Sequence, residues 1–281
     1  SCDRDKSTDC YFCDHSFTLS RRKTLINLNN NDYPFKWMGN NVGFIGKIND
    51  DKLGQKYEDG LKKESVNFLY NKKSEPIPTG TCLILITPDS ERTMCTFLGT
   101  AGKISDKDVD ATTIKRAEII FLEGYLWDEG DPKKAFDKAI NNSNKVAMSL
   151  SDLFCVERHK KDFLELVKNK LDIIFANEQE ILSLIDGSSI RDAIQFSKEI
   201  DKNLVITRGA EGAIAIENKE IFECRAKKNL NLVDLTGAGD LFAAGYLHGI
   251  INNLSIVESL NYGTDLSSKI IQQMGARIKN N

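Results

Sequence analysis

The sequence lacks the features that mark membrane, secreted or nucleic-acid-binding proteins. Its 281 residues contain no apolar run approaching the ~18 residues that a membrane-spanning helix needs, and its first residues are polar where a signal peptide has an apolar core. Basic residues are not in excess, because 38 Lys and Arg stand against 41 Asp and Glu, for a net charge of −3. A nucleic acid partner is therefore not indicated. With 41% hydrophobic and 28% charged residues and no internal repeat, we expect a globular cytoplasmic protein.

An even, paired set of cysteines is absent too. The seven cysteines are scattered, and without a secretion signal we expect reduced thiols. Cys10 and Cys13, with His15 nearby, have a spacing that can bind zinc. No second pair follows, and His15 is too close to Cys13 for the usual zinc site, so a zinc module remains a minor alternative.

Short apolar strands alternate with amphipathic helices along most of the chain. Strands are predicted over 42–48, 79–87, 92–98, 119–125, 145–150, 173–176, 204–207, 213–216 and 221–225. Helices are predicted after an Asn49 or Asp50 cap, over 105–116, from 132, and over 156–169, 178–185, 189–200 and 255–274. This alternation predicts an α/β fold of three layers around a mostly parallel central sheet.

The pattern also suggests how the chain is divided. Turn residues at 88–91 join two of the strands into a hairpin over about 76–98. Residues 41–281 are long enough for one large domain. Residues 1–40 show no sustained period, and we expect loop or disorder there, with one short strand over 24–28.

The stretch from Val233 to Gly245 organises the remaining chemistry. The small residues Gly237, Ala238 and Gly239 follow an apolar run and open a helix. A helix start of this kind is an anion site, because its first N–H groups lack partners and glycines let a phosphate approach the backbone. Asp240 would lie in the first turn, where a general base can meet a hydroxyl that attacks a phosphoryl group. A capping Asp beside a tight turn is the alternative.

Polar residues also follow the predicted strands, at the sheet edge where ligands bind. Asn177 and Glu180 are one helical turn apart, as a magnesium and phosphate network requires, although the same spacing fits a capping box. The glycines of Thr207–Gly212 would let the backbone approach a nucleotide, or simply form a turn. Residues 123–125 and 149–152 are candidate pocket walls for which core or capping roles are favoured.

Together, these motifs resemble the PfkB, or ribokinase-like, family of sugar and nucleoside kinases. The run Asp-Leu-Thr-Gly-Ala-Gly-Asp over 234–240 is similar to the C-terminal signature of that family. Residues 177–180, 207–212 and 79–94 are similar to its magnesium motif, its nucleotide motif and its lid-proximal hairpin, in the same order. The resemblance covers about residues 40–277 and is nearest to bacterial adenosine-kinase-like members.

This resemblance implies a ribokinase-like fold and an ATP-dependent kinase. The γ-phosphate of ATP would move to a primary hydroxyl of a nucleoside or sugar, with Asp240 as the base and the amides of Gly237, Ala238 and Gly239 as the anion hole. The other implied roles are magnesium binding by Asn177 and Glu180, ATP binding by Asn177, Thr207, Gly209, Gly212 and Asn261, and charge neutralisation by Arg92. The partners would be ATP and a small acceptor, and the protein would be a monomer or a homodimer.

The N-terminal part departs from the family. A first strand ending in a substrate-binding Asp, the lid strands and a Gly-Gly-x-x-x-Asn turn have no counterpart, and residues 32–38 stand where a helix is expected. We therefore expect an incomplete acceptor pocket and β lid. Two alternatives follow: a nucleotide-binding remnant without acceptor binding or catalysis, and a ribokinase- or fructokinase-type sugar kinase.

Overall fold

A computed structural model describes residues 40–86, 92–127, 130–276 and 278. Its strands are β1 (Gly43–Phe44), β2 (Asn67–Phe68), β3 (Thr79–Ile86), β4 (Arg92–Gly99), β5 (Ile120–Glu123), β6 (Val146–Ser149), β7 (Ile173–Asn177), β8 (Asn203–Thr207), β9 (Ala213–Glu217) and β10 (Glu220–Cys224). Its α-helices are α1 (Lys52–Lys63), α2 (Ala111–Lys115), α3 (Asp131–Asn142), α4 (Leu153–Asn169), α5 (Glu178–Ile185), α6 (Ile190–Ile200), α7 (Ala238–Ile251) and α8 (Ile256–Ile270). The predicted strand over 24–28, the Cys10–Cys13 pair and the hairpin turn over 88–91 lie outside the described residues.

Within the described residues, six strands form one sheet in the order β10-β9-β8-β7-β6-β5. Strands β5 to β8 are parallel, whereas β9 runs antiparallel to both β8 and β10. All four residues of β5 are buried, as expected for a strand covered on both faces. The predicted α/β fold with a mostly parallel sheet is confirmed. No described helix is long and apolar enough to cross a membrane.

Alternate residues of the parallel strands pack into two separate cores. On β5, Ile120 and Leu122 belong to a core that includes residues of α3 to α6, whereas Phe121 belongs to a core with residues of α1, α7 and α8. The ring of Phe175 on β7 lies 5.6 Å from that of Tyr246 on α7. Because successive side chains of a strand point to opposite faces, the sheet separates two helical layers.

The predicted hairpin is present as a separate antiparallel pair, β3 and β4. Its base is fastened by Asp51, the N-cap of α1. One carboxylate oxygen of Asp51 accepts hydrogen bonds of 2.8 Å from the N–H of Gly54 and from the hydroxyl of Thr79. The other accepts the N–H of Thr79 at 2.8 Å. A single carboxylate therefore both caps α1 and anchors β3.

Several predicted boundaries differ from the structure. The strand predicted over 42–48 is reduced to β1, which pairs with the equally short β2. The helix predicted over 105–116 divides into a 3₁₀ turn, Asp106–Asp108, and α2. The division falls at Asp110, whose carboxylate accepts the N–H groups of Thr112 and Thr113 and so begins a new helix.

The cap of α1 was also predicted one or two residues too early. Asp51 caps the helix, whereas the side chain of Asn49 binds a segment further along the chain. The side chain of Asn49 donates to the carbonyls of Glu75 and Ile77 and accepts the N–H of Glu75. It therefore holds the segment that leads into β3. The last helix ends at Ile270 and not at Met274.

Candidate active site

Polar residues end three parallel strands on the side of the sheet that carries α7. The core beneath α7 includes Phe121, Phe175 and Val205, one from each of these strands. Two residues further along the same strands lie Glu123, Asn177 and Thr207, so they are on the same face of the sheet. The pairing of β7 with β8 places Asn177 directly opposite Thr207. Side chains that are far apart in the sequence therefore meet at the carboxyl edge of the sheet.

The glycine turn opens α7 as predicted. The N-cap Gly237 has φ 80°, in the left-handed region that favours glycine, and Asp240 lies half-buried in the first turn. A Cβ atom added at Gly239 would meet nothing within 4 Å. The backbone at Gly239 is therefore open to an approaching group.

One of the three amides expected in the anion hole is already used. The N–H of Ala238 donates to the carbonyl of Leu235 at 3.2 Å. In the first turn, the N–H of Gly239 has no intrahelical carbonyl to bind. In this conformation the open side of the turn is centred on Gly239, not on Ala238.

Asp234, for which the sequence pattern indicates no role, holds this turn in place. Asp234 is buried, and one of its carboxylate oxygens accepts the N–H of Thr236 at 2.9 Å and its hydroxyl at 2.6 Å. The other accepts the N–H of Gly275 at 2.9 Å. An Asp two residues before a Thr is a signal for an Asx turn, but nothing local reveals the link to Gly275.

Asn177 and Glu180 form a complete capping box at the start of α5. The Asn177 side-chain oxygen accepts the N–H of Glu180 at 2.8 Å, and the Glu180 carboxylate accepts the N–H of Asn177 at 2.9 Å and its side-chain amide at 2.6 Å. Burial raises the pKa of Glu180 to about 7, and the charge of Asp152 adds to the increase. A neutral carboxyl at this position is ready to ionise if a cation binds.

Glu123, predicted from the sequence only as a pocket wall or core residue, is a strong candidate for the site. It is 2% exposed, and its Oε2 accepts the hydroxyl of Ser151 at 3.0 Å. Its Oε1 has no hydrogen-bond partner among the described residues. Burial, and then the charge of Asp240, hold the pKa of Glu123 well above its ordinary value. Ser151 itself has φ 74°, a strained value for a residue other than glycine.

The carboxylates form one acidic region. Burial raises the pKa of Tyr125, and the charges of Asp152, Glu123, Asp240 and Glu180 raise it further. Across the described ranges, no three His, Cys, Asp or Glu side chains are arranged to hold a metal ion by themselves. This region can attract a cation that takes its remaining ligands from water or phosphate, as Mg²⁺ commonly does.

The two glycines of the loop after β8 have different explanations. Gly212 has φ 98°, and a Cβ there would lie 2.1 Å from the carbonyl oxygen of Cys224, so packing alone requires glycine. Gly209 has φ 54° and open space around the position of a Cβ. Of the two glycines, Gly209 is therefore the one whose backbone a ligand can reach, beside Thr207.

The remaining predicted residues are less informative. Asn261 is exposed on α8. Arg92 begins β4 and its backbone pairs with Ile86, while its side chain lies outside the described part of the chain.

Comparisons with known proteins identify the family of the chain. The model of the pfkB family carbohydrate kinases matches residues 33–281. The structure is similar to that of adenosine kinase from Sinorhizobium meliloti, with 32% identity, a TM-score of 0.84, and 88% of this chain and 77% of the other covered. A Rhizobium etli protein assigned as a sugar kinase is 31% identical, with a TM-score of 0.84 over 89% of this chain and 78% of the other. An Escherichia coli protein assigned as ribokinase II, solved with ATP and Mg²⁺, shares the fold at 20% identity, with a TM-score of 0.79 over 87% and 81%.

The fold and these matches thus define a phosphotransferase of the ribokinase-like fold. The chain belongs to the pfkB family of carbohydrate kinases and is an ATP-dependent kinase of that family.

Proposed function

We propose that this kinase moves the γ-phosphate of ATP to a primary hydroxyl of a nucleoside or sugar, in the manner of an adenosine kinase. The similarity to the Sinorhizobium meliloti adenosine kinase supports a nucleoside acceptor. The nearly equal similarity to the Rhizobium etli protein keeps a ribokinase- or fructokinase-type acceptor as the second candidate. We keep a cytoplasmic monomer or homodimer as a prediction.

Asp240 is the proposed general base. The observation that carries this role is its position, half-buried in the first turn of α7 beside a glycine turn with open backbone, close enough for its charge to act on the buried Glu123. Asp240 would accept the proton of the acceptor hydroxyl while that oxygen bonds to the γ-phosphorus. The bond from the γ-phosphorus to the bridging oxygen breaks in the same step, and ADP leaves.

The glycine turn would bind the transferred phosphoryl group. The partial positive charge at the start of α7 and the N–H of Gly239 would stabilise the negative charge that develops on this group. Gly237 permits the left-handed turn, and Asp234 keeps it in place through Thr236. Ala238 would take part only if its bond to Leu235 opened.

The residues present fit a magnesium ion bound together with ATP. Glu180 and Asn177 would hold the ion and its waters, and the Oε1 of Glu123, buried without a described partner, offers a further oxygen. When bound, Mg²⁺ neutralises phosphate charge. On the nucleotide side, Thr207 and Gly209 would contact ATP, with Asn261 on the flanking helix, and Arg92 would approach from the hairpin.

The test is ADP release with adenosine, ribose and fructose as acceptors, with and without Mg²⁺. We expect Asp240→Asn to lower kcat by about 10²–10⁴-fold, because a positioned base contributes that much. The matched control is Asp131→Asn, which changes a first-turn Asp of α3 that forms an exposed ion pair with Lys134. It should leave kcat unchanged.

Two results would contradict the proposal. Equal turnover by the wild type and Asp240→Asn would remove Asp240 from catalysis. A thermal shift with Mg-ATP, without turnover of any acceptor, would favour the nucleotide-binding remnant.

A further inference from the structure

Arg208 connects two segments that the proposed function uses separately. Its Nε donates to the Oε2 of Glu178 at 2.8 Å, and another of its nitrogens pairs with the carboxylate of Glu211. Glu178 stands between Asn177 and Glu180 in the first turn of α5, whereas Glu211 lies in the loop after β8. One guanidinium therefore bridges the proposed metal motif and the proposed nucleotide loop.

The sheet register explains why this bridge forms. Asn177 and Thr207 are paired residues at the ends of β7 and β8. Glu178 and Arg208 directly follow the last residues of β7 and β8, so the ion pair continues the pairing one step beyond the sheet. The backbone of Arg208 is held as well, because its N–H donates to the carbonyl of Gly212 at 2.8 Å and its carbonyl accepts the N–H of Glu211 at 3.0 Å.

Stability alone is a weak reason for this arrangement. The side chain of Arg208 is 21% exposed, that of Glu178 is 33% exposed and that of Glu211 is 66% exposed, and ion pairs that solvent reaches contribute little to folding. Charge gives a stronger reason. Without Arg208, Glu178 and Glu211 would present two uncompensated negative charges beside a bound triphosphate. The planar guanidinium of an arginine can donate to two carboxylates at once and stays protonated, whereas the ammonium group of a lysine is a single point of charge.

We propose that Arg208 is a positioning residue that holds the 207–212 loop against the first turn of α5, so that the groups that bind ATP and those that bind Mg²⁺ stay in register. This inference rests on the proposed function, since it concerns the binding of Mg-ATP at the same site. Arg208 acts through Glu178 and Glu211 and does not itself touch the phosphates.

The test measures KM for Mg-ATP, kcat, and equilibrium binding of Mg-ADP in Arg208→Leu, Glu178→Gln and the double variant. Each single variant should raise KM about tenfold with a smaller change in kcat, and the double variant should be no worse than either single one. Arg208→Lys should recover only part of the loss. The matched control is Asp186→Asn, which breaks an ion pair with Lys160 at the opposite end of α5 and should change nothing.

Failure of this inference differs from failure of the proposed function. If the wild type binds Mg-ADP and turns over, but Arg208→Leu behaves like the wild type, only the positioning role is overturned. If Arg208→Leu raises KM while Glu178→Gln does not, the link from the loop to α5 does not carry the effect, and positioning is again overturned. A wild type that binds no Mg-nucleotide would overturn the proposed function itself.

Discussion

The buried carboxyls of the site make single residues sensitive to pH. Burial raises the pKa of Glu180 from 4.5 to about 7, which means that folding disfavours the ionised form. Below the unfolded pKa both states are protonated, and no penalty exists. As the pH rises from about 4.5 to 7, the unfolded chain ionises first, so the free energy of unfolding falls, by up to ~3 kcal/mol, and then levels off.

We therefore predict that Glu180→Gln flattens the decrease in unfolding free energy between pH 5 and 7, without Mg²⁺. Gln keeps the capping-box geometry but cannot ionise. Urea denaturation at several pH values measures the effect. Part of the decrease in unfolding free energy with pH should remain in this variant, because the pKa of Glu123 is raised too.

Glu258→Gln is the control for this experiment. Glu258 occupies the same capping-box position on α8, but it is exposed and its pKa is lowered by Ser255. This variant should keep the wild-type slope between pH 5 and 7. Parallel slopes in the wild type and Glu180→Gln would show that Glu180 does not titrate in that range.

At the scale of elements, Asp51 joins a helix to a strand. Its carboxylate caps α1 and accepts both polar hydrogens of Thr79, which begins β3. These hydrogen bonds lower the pKa of Asp51 although burial opposes them. The stabilisation is thus fully present above the ordinary pKa of 3.8 and is lost as the pH falls from there through the lower pKa of the folded state.

We predict that Asp51→Ala lowers the free energy of unfolding by about 2–3 kcal/mol, as measured by urea denaturation at pH 7. An N-cap contributes about 1 kcal/mol, and the charged hydrogen bonds to Thr79 add to it. Asp110→Ala, which removes the exposed cap of α2, should cost only about 1 kcal/mol. Equal losses in the two variants would show that the link to β3 contributes nothing.

Element types were more predictable than their ends. The period of the apolar residues was enough to predict the buried strands and the helices α4 to α7. It failed at residues 105–116, where Asp110 begins a new helix, and at Asn49, whose partners Glu75 and Ile77 are far along the chain. Contacts of this kind leave no periodic trace in the sequence.

At the scale of the whole molecule, the packing of α7 on α8 sets the position of Asp240. A Cβ added at Gly245 would lie 2.5 Å from the backbone nitrogen of Gly263 and 2.6 Å from the carbonyl oxygen of Tyr262. Both are backbone atoms of α8, so no side chain can turn away to make room. The two helices approach this closely because neither has a side chain at the contact.

We predict that Gly245→Ala lowers the free energy of unfolding by about 3 kcal/mol and reduces activity as α7 shifts. Denaturation and ADP release, measured on the same preparations, test both effects. Gly187→Ala is the control, because the nearest atoms there belong to the side chains of Ile185 and Leu182, which can move. A stable and active Gly245→Ala variant would mean that the helix contact adapts freely.

The candidate site was predictable from the sequence where its residues lie in one short segment. The turn before Asp240, the Asn177 and Glu180 step, and the loop from Thr207 were each recognisable as local patterns. Glu123 and Asp234 were not, because their importance depends on burial and on partners such as Gly275 that only the fold brings near.

The alternation of β5 between two cores limits how the length of this protein can change. One residue inserted before Phe121 would exchange the faces of Phe121 and Leu122 and turn Glu123 away from α7, whereas two inserted residues would restore the phase. Over generations, gains and losses of codons should therefore accumulate in the connections between elements. Within the strands, only insertions or deletions of an even number of residues should be tolerated.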